Sequence, residues 1–239
     1  IVTYFGIFGC LGTATYGQLE IARNRDNKKL LHKTVSEIFF GRLVTLMISL
    51  LIYFAVILKA SGQYKLLYSV LSLYILGQMN DVSFILQGLE WFKMLAMRNI
   101  IIKVLNIVLI FALVREHNDL YIYAIIIHGI TLIGNFSLWP QVIKYIKPKS
   151  FKNMNFIQHW KKSMIYFIPT VATMVYTVLD KSMIGWITGS EFQNGYYEQA
   201  IKIIRLCQNV MGAMGAVLLS SIPRMIVTSG KEAVKSTIN

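Results

Sequence analysis

Charged side chains are scarce in this chain. Asp, Glu, Lys and Arg make up 15% of its 239 residues, whereas soluble domains carry about 25%. Apolar and aromatic residues account for 55%, and the mean hydropathy is +0.54. This composition excludes an ordinary soluble domain and predicts a protein whose outer surface contacts lipid.

The sequence also lacks the motifs of common catalytic and metal sites. Cys10 and Cys207 form no C-x-x-C pair, and the four histidines form no H-E-x-x-H motif. There is no Walker-type phosphate-binding loop, no G-x-S-x-G motif and no pair of carboxylates placed for acid–base catalysis. The sequence therefore predicts a protein that is not an enzyme and that needs no metal and no cofactor.

The chain is instead rich in long apolar segments. A helix needs about 20 residues to cross a hydrocarbon core of about 30 Å. Seven spans are predicted: Val2–Tyr16, Glu37–Leu58, Tyr64–Leu86, Ala96–Val114, Leu120–Ile143, Met164–Ile187 and Tyr197–Ile222. They predict an all-α polytopic membrane helix bundle. Because the first segment is short and starts without a methionine, a charged flank or a cleavage site, we interpret the chain as an internal fragment.

The positions of the basic residues indicate how the helices are oriented. Cytoplasmic loops retain Lys and Arg, and eighteen of the 24 basic residues fall on one side of the predicted spans. They are Arg23, Arg25, Lys28, Lys29, Lys33, Arg42, Lys93, Arg98, Lys103, Lys144, Lys147, Lys149, Lys152, Lys161, Lys162, Arg224, Lys231 and Lys235. This pattern predicts an outer N-terminus and a cytoplasmic C-terminus. It also explains the net charge of +13 without nucleic-acid binding.

One hydrophilic stretch divides the chain. Residues 144–162 are rich in lysine, contain Pro148 and separate the first five predicted helices from the last two. We therefore predict a cytoplasmic basic linker at residues 144–162. Residues 1–143 then form part of an N-terminal transmembrane lobe that lacks its first helix, and residues 163–239 begin a C-terminal lobe.

Five stretches resemble a known family of transporters. They are "ATYGQLEIARNRDNKKL", "LQGLEWFKMLAMRNIIIKVLNIVLIFALV", "GNFSLWPQVIKYI", "YTVLDKSMIG" and "GYYEQAIKIIR". Together they resemble the Wzx-type oligosaccharide flippases of the multidrug/oligosaccharidyl-lipid/polysaccharide exporter superfamily. The resemblance covers essentially the whole chain. It implies a two-lobed exporter fold around a central cavity, of which this chain matches helices two to eight.

The resemblance also implies a substrate and partners. The substrate is an undecaprenyl-pyrophosphate-linked oligosaccharide repeat unit, flipped across the cytoplasmic membrane for capsule or O-antigen-like polysaccharide. The implied partners are the lipid bilayer, a polysaccharide polymerase and glycosyltransferases. The alternatives are a multidrug cation exporter of the same superfamily and a membrane-embedded polymerase or acyltransferase. A cation exporter needs an acidic cavity, and such enzymes need a large catalytic loop that this sequence lacks.

Polar residues inside the predicted spans are the candidate binding residues, because a charge at mid-bilayer is costly and commonly faces a cavity. Asp180 and Lys181 interrupt the sixth span, and Lys202 and Arg205 share one face of the seventh. A hairpin turn near residues 191–192 predicts that Lys181 lies level with Lys202.

Asp81 is a further candidate because of its depth in the membrane. At about 1.5 Å per helical residue, it lies about 24 Å from Lys65, which marks the outer end of its predicted span. For the other four residues the sequence leaves two interpretations open. In one, Lys181, Lys202 and Arg205 bind the pyrophosphate and Asp180 tunes their charge. In the other, Asp180 and Lys181 form an internal ion pair, or Lys181 extends to the outer interface.

Overall fold

The computed structural model describes residues 2–60, 65–116, 119–147, 155–190 and 192–205, and the single positions 208, 212 and 219. For residues 58, 60, 176–179, 181 and 182 it describes the backbone only. The helices are α1 (Val2–Cys10), α2 (Thr13–Asn24), α3 (Lys28–Ala60), α4 (Lys65–Leu71), α5 (Leu73–Met79), α6 (Ser83–Gly88), α7 (Phe92–Leu113), α8 (Leu120–Phe136), α9 (Trp139–Val142) and α10 (Phe156–Thr188). Residues 192–205 are also helical, and none of the described residues lies in a strand.

This architecture confirms the prediction of an all-α membrane helix bundle. Four stretches of the described chain are long and apolar enough to cross a membrane: Lys28–Ile57, Lys65–Gly88, Phe92–Leu113 and Leu120–Val142. Large apolar side chains point away from the bundle, and Phe111 is 82% exposed. An apolar surface of this extent is unfavourable in water, and it is stable where lipid surrounds it.

The observed helices differ from the predicted segments in their ends and their continuity. α3 begins at Lys28 rather than Glu37, because the intervening residues contain no glycine or proline and because Leu31 and Val35 pack in the core. The third predicted span is three short helices, α4 to α6. Residues 156–162, at the end of the predicted linker, form the first turns of α10.

The first predicted span is broken between α1 and α2. Leu11 and Gly12 have left-handed backbone conformations, with φ of 46° and 68°. A Cβ atom on Gly12 would lie 2.6 Å from the backbone nitrogen of Phe167 and 2.8 Å from the carbonyl oxygen of Ser163, both in α10. Glycine is therefore required here for both the turn and the close approach of α10.

Two apolar clusters hold the bundle together. One includes Val35 and Phe84, where α2, α3 and α6 meet. The other includes Leu46 and Tyr53, where α1, α3 and α5 meet. Arg42 lies on α3 between these clusters and is buried, so the bundle has a layer of polar contacts between two apolar layers.

Candidate functional site

The polar layer begins at a break in a membrane-spanning segment. α5 ends at Met79 and α6 begins at Ser83, within the span Lys65–Gly88. Backbone groups freed by such a break need partners inside the membrane. Asp81 supplies one, because its Oδ1 accepts a hydrogen bond from the Ser83 N–H at 2.9 Å. The break thus holds a carboxylate inside the bundle.

Arg42 faces this carboxylate from α3. Its Nη2 donates to the Gln78 carbonyl oxygen at 3.1 Å and to Gln78 Oε1 at 3.2 Å. The same nitrogen lies 3.7 Å from Oδ2 of Asp81, and the Arg42 side chain is 2% exposed. The guanidinium also lies 5.4 Å from the ring centroid of Phe84, where a cation–π contact adds to its stabilisation. Arg42 is therefore enclosed by protein.

Arg98 approaches the same break from α7. Its Nη1 donates to Asn135 Oδ1 at 3.1 Å, and its Nη2 donates to the Ser83 hydroxyl. Asn135, on α8, donates in turn to the carbonyl oxygen of Gly77 at 2.8 Å. These bonds join α5, α6, α7 and α8. We call Arg42, Gln78, Asp81, Ser83, Arg98 and Asn135 the polar network.

The polar network carries two guanidinium groups and one carboxylate, and is therefore cationic. Asp81 interacts electrostatically with Arg98 as well as with Arg42. Nε of each arginine and Nη1 of Arg42 are buried without a hydrogen-bond partner among the described residues. Buried donors of this kind favour an anion or a water as an additional acceptor. Arg98 is half-buried, so it is the arginine that an incoming anion can reach.

The structure places the five sequence candidates in two regions. Asp81 belongs to the polar network. Asp180 lies in α10, where its Oδ2 accepts a hydrogen bond from the hydroxyl of Tyr197 at 3.0 Å. Tyr197 is five residues before Lys202 in the sequence, which is more than one helical turn. The residue beside Asp180 is therefore Tyr197, which was not a candidate in the sequence analysis.

Two of the three predicted cations of the second region, Lys202 and Arg205, have side chains that the structure describes. Lys202 is exposed, and its Nζ lies 3.4 Å from Oε1 of Gln199 in the same helix. Arg205 is half-buried. The side chain of Lys181 lies outside the described residues. Among the side chains that are described, no hydrogen bond or ion pair joins Asp180 to Lys202 or Arg205.

Sequence reasoning missed the roles of Arg42 and Arg98, because it counted both as cytoplasmic loop residues. Their positions held a usable signal. Arg42 lies inside the apolar segment Glu37–Leu58, and Arg98 lies inside Ala96–Val114. A positive charge inside an apolar segment needs a partner or a cavity. Asp81 lies beside Arg42, whereas Arg98 bonds to Asn135 and Ser83.

The chain is similar to known proteins of polysaccharide biosynthesis and transport. Residues 1–226 match the protein family described as "Polysaccharide biosynthesis protein". A protein of Shigella dysenteriae described as "Putative O-antigen transporter" is 25% identical over 175 residues, which is 71% of this chain and 43% of the relative. This chain therefore spans less than half the length of that relative. No solved structure matches the chain.

Proposed function

Since this chain belongs to the polysaccharide biosynthesis protein family, we propose that the whole protein is a Wzx-type transporter and not an enzyme. It flips undecaprenyl-pyrophosphate-linked oligosaccharide repeat units across the cytoplasmic membrane, which it crosses several times. The repeat units serve the assembly of a capsule or O-antigen-like polysaccharide. The glycosyltransferases that build them and the polymerase that joins them are the proposed partners. Family membership also confirms the resemblance found in the sequence.

The cationic polar network is the observation that carries this proposal. A pyrophosphate headgroup brings negative charge into a region that lipid surrounds, where electrostatic attraction is stronger than in water. Arg98 is half-buried and keeps a buried Nε without a partner. A guanidinium group binds two phosphate oxygens at once. We therefore assign Arg98 to headgroup contact, and Asp81 and Arg42 to positioning the broken span.

Lys181, Lys202 and Arg205 form the second proposed contact of the headgroup. Lys202 and Arg205 are one turn apart on the helical segment 192–205. Asp180 contacts that segment through Tyr197, and in this proposal its carboxylate tunes the charge of the cations. In the two-lobed arrangement, residues 1–143 would supply Arg98 and residues 163–239 would supply these cations, with the basic linker 144–162 between them.

The proposed transport follows from the opposite solubilities of the two ends of the substrate. The pyrophosphate and the glycan need a polar path, whereas the prenyl tail is stable only in lipid. The apolar outer face of the bundle lets the tail stay in the bilayer while the headgroup moves inside. A multidrug cation exporter is disfavoured, because the polar network would repel a cationic substrate.

Export in cells tests the function and the role of Arg98 together. In a strain that lacks its oligosaccharide flippase, the full-length protein should restore the surface polysaccharide. Arg98→Gln should reduce export, because loss of a hydrogen bond to a charged group weakens binding about ten- to hundred-fold. The readout is surface polysaccharide at matched protein abundance.

Arg115→Gln is the matched control, because Arg115 is an exposed cation in the loop between α7 and α8. It should export as the wild type does. No restoration by the wild type, together with increased resistance to cationic drugs, would instead support the multidrug exporter. Full export by Arg98→Gln would remove Arg98 from the binding site.

A double substitution separates the two interpretations of Asp180 and Lys181. If Lys181 and Arg205 bind the headgroup, Lys181→Ala and Arg205→Ala should each abolish export and leave protein abundance near normal. If Lys181 only neutralises Asp180, each single change should lower abundance, because it leaves a buried charge without a partner. Asp180→Asn combined with Lys181→Gln should then recover abundance and export. That recovery would argue against a binding role for Lys181.

A further inference from the structure

One face of the first half of α10 packs against α2 and α3, and we call this contact surface the seam. Asn155, His159, Ser163 and Phe167 follow one another at intervals of four residues, which places them on the same side of the helix. Ser163 is completely enclosed and Phe167 is buried. Gly12 contacts the backbone of α10 at this level. The seam is therefore tightly packed in the present conformation.

A buried polar cluster lies at the start of the seam. Nε2 of His159 is 3.0 Å from Oε2 of Glu37, and its Nδ1 is 2.8 Å from the hydroxyl oxygen of Tyr16. Oε1 of Glu37 accepts a hydrogen bond from the backbone N–H of Asn155 at 3.1 Å. Glu37 and Tyr16 are almost completely buried, and the side chain of His159 is 13% exposed. Three helices thus meet through one hydrogen-bonded group of side chains.

The other end of α10 is packed much less closely. Trp186 and Ile187, in its last turn, are 86% and 77% exposed. Pro169 lies between the two halves, and because proline has no backbone N–H it removes one hydrogen bond from the helix and favours a bend there. The seam therefore joins α10 to the bundle at the end that the basic residues place in the cytoplasm.

We propose that Glu37, His159 and Tyr16 form a latch that closes the seam on the cytoplasmic side and separates when the headgroup enters. This inference rests on the proposed transport function, since a flippase opens its two sides in turn. The chemistry of the cluster suits a reversible contact. When the seam opens, water can solvate the carboxylate, the imidazole and the phenol, whereas a purely apolar seam would expose hydrocarbon.

The labelling rate of a cysteine at Ser163 tests the latch directly. The full-length protein would carry this cysteine alone, with Cys10, Cys207 and any other native cysteine replaced by serine. Because residue 163 is completely enclosed, a small maleimide should label it slowly while the seam is closed. His159→Ala should raise the labelling rate about tenfold or more, since removing a hydrogen bond to a charged carboxylate shifts a two-state equilibrium by about that factor.

Three further variants keep the test decisive. Tyr16→Phe retains the ring and removes only the hydroxyl, so it should raise the labelling rate by a smaller factor. It keeps the test possible if His159→Ala accumulates poorly. Exchange of the two groups, Glu37→His with His159→Glu, should restore slow labelling. Glu90→Gln is the matched control, because it breaks the Arg25–Glu90 ion pair at the same end of the bundle but outside the seam. It should leave the rate unchanged.

Rapid labelling in the wild-type background would overturn the latch, and so would rapid labelling that is equal in Glu90→Gln and His159→Ala. Unchanged slow labelling in both His159→Ala and Tyr16→Phe would do the same. Export is measured separately. A wild-type protein that restores no polysaccharide but shows the predicted labelling pattern would refute the proposed function and leave the latch in place.

Discussion

Replacing Gly12 with alanine is expected to destabilise the protein strongly. At φ of 68° an L-residue costs about 1–2 kcal/mol. The new Cβ would also lie 2.6 Å and 3.0 Å from the backbone nitrogen and Cα of Phe167. Backbone atoms cannot move as the end of a side chain can, so overpacking should add about 1–3 kcal/mol. α10 would have to move away from α2.

Thermal unfolding in detergent measures this effect, and Gly129→Ala supplies the control. Gly129 lies inside α8 with no heavy atom within 4 Å of a Cβ built on it. Alanine there should leave the stability unchanged or raise it by up to about 1 kcal/mol, because glycine is a poor helix former. Equal stability of the Gly12→Ala and Gly129→Ala proteins would show that the close contact of α2 with α10 is absent from the protein in detergent.

Asp81→Asn is expected to give the second large effect, because it leaves Arg42 without a carboxylate. The Arg42 side chain is 2% exposed, and a buried charge that loses its partner lowers the free energy of unfolding by about 3–5 kcal/mol. Its remaining contacts, Gln78 and the Phe84 ring, are neutral. The mutant protein should therefore unfold at a lower temperature and accumulate poorly in the membrane.

The double variant Arg42→Met with Asp81→Asn should recover most of that stability. Both charges are then absent, and methionine fills much of the space of the arginine stem. The same unfolding measurement applies to both proteins. If Asp81→Asn is as stable as the wild type, the 3.7 Å contact between Arg42 and Asp81 contributes little, and Gln78 alone holds Arg42.

The sequence by itself determined the class of the protein, and the reason is that this information is local. Low charge content and long apolar segments indicate membrane helices, because each segment must match the hydrocarbon thickness by its own composition. The predicted all-α bundle and the family resemblance were both confirmed. The orientation, the two lobes and the roles of Lys181, Lys202 and Arg205 remain predictions.

Only the tertiary structure decided which polar side chains meet. Arg42 and Gln78 are 36 positions apart, and Glu37 and His159 are 122 apart. Their contacts depend on how each helix is rotated about its axis and where it is broken, and hydropathy carries neither quantity. Asp81 was a candidate from its depth alone. Its contact with Arg42 became visible only once the break between α5 and α6 turned its carboxylate towards α3.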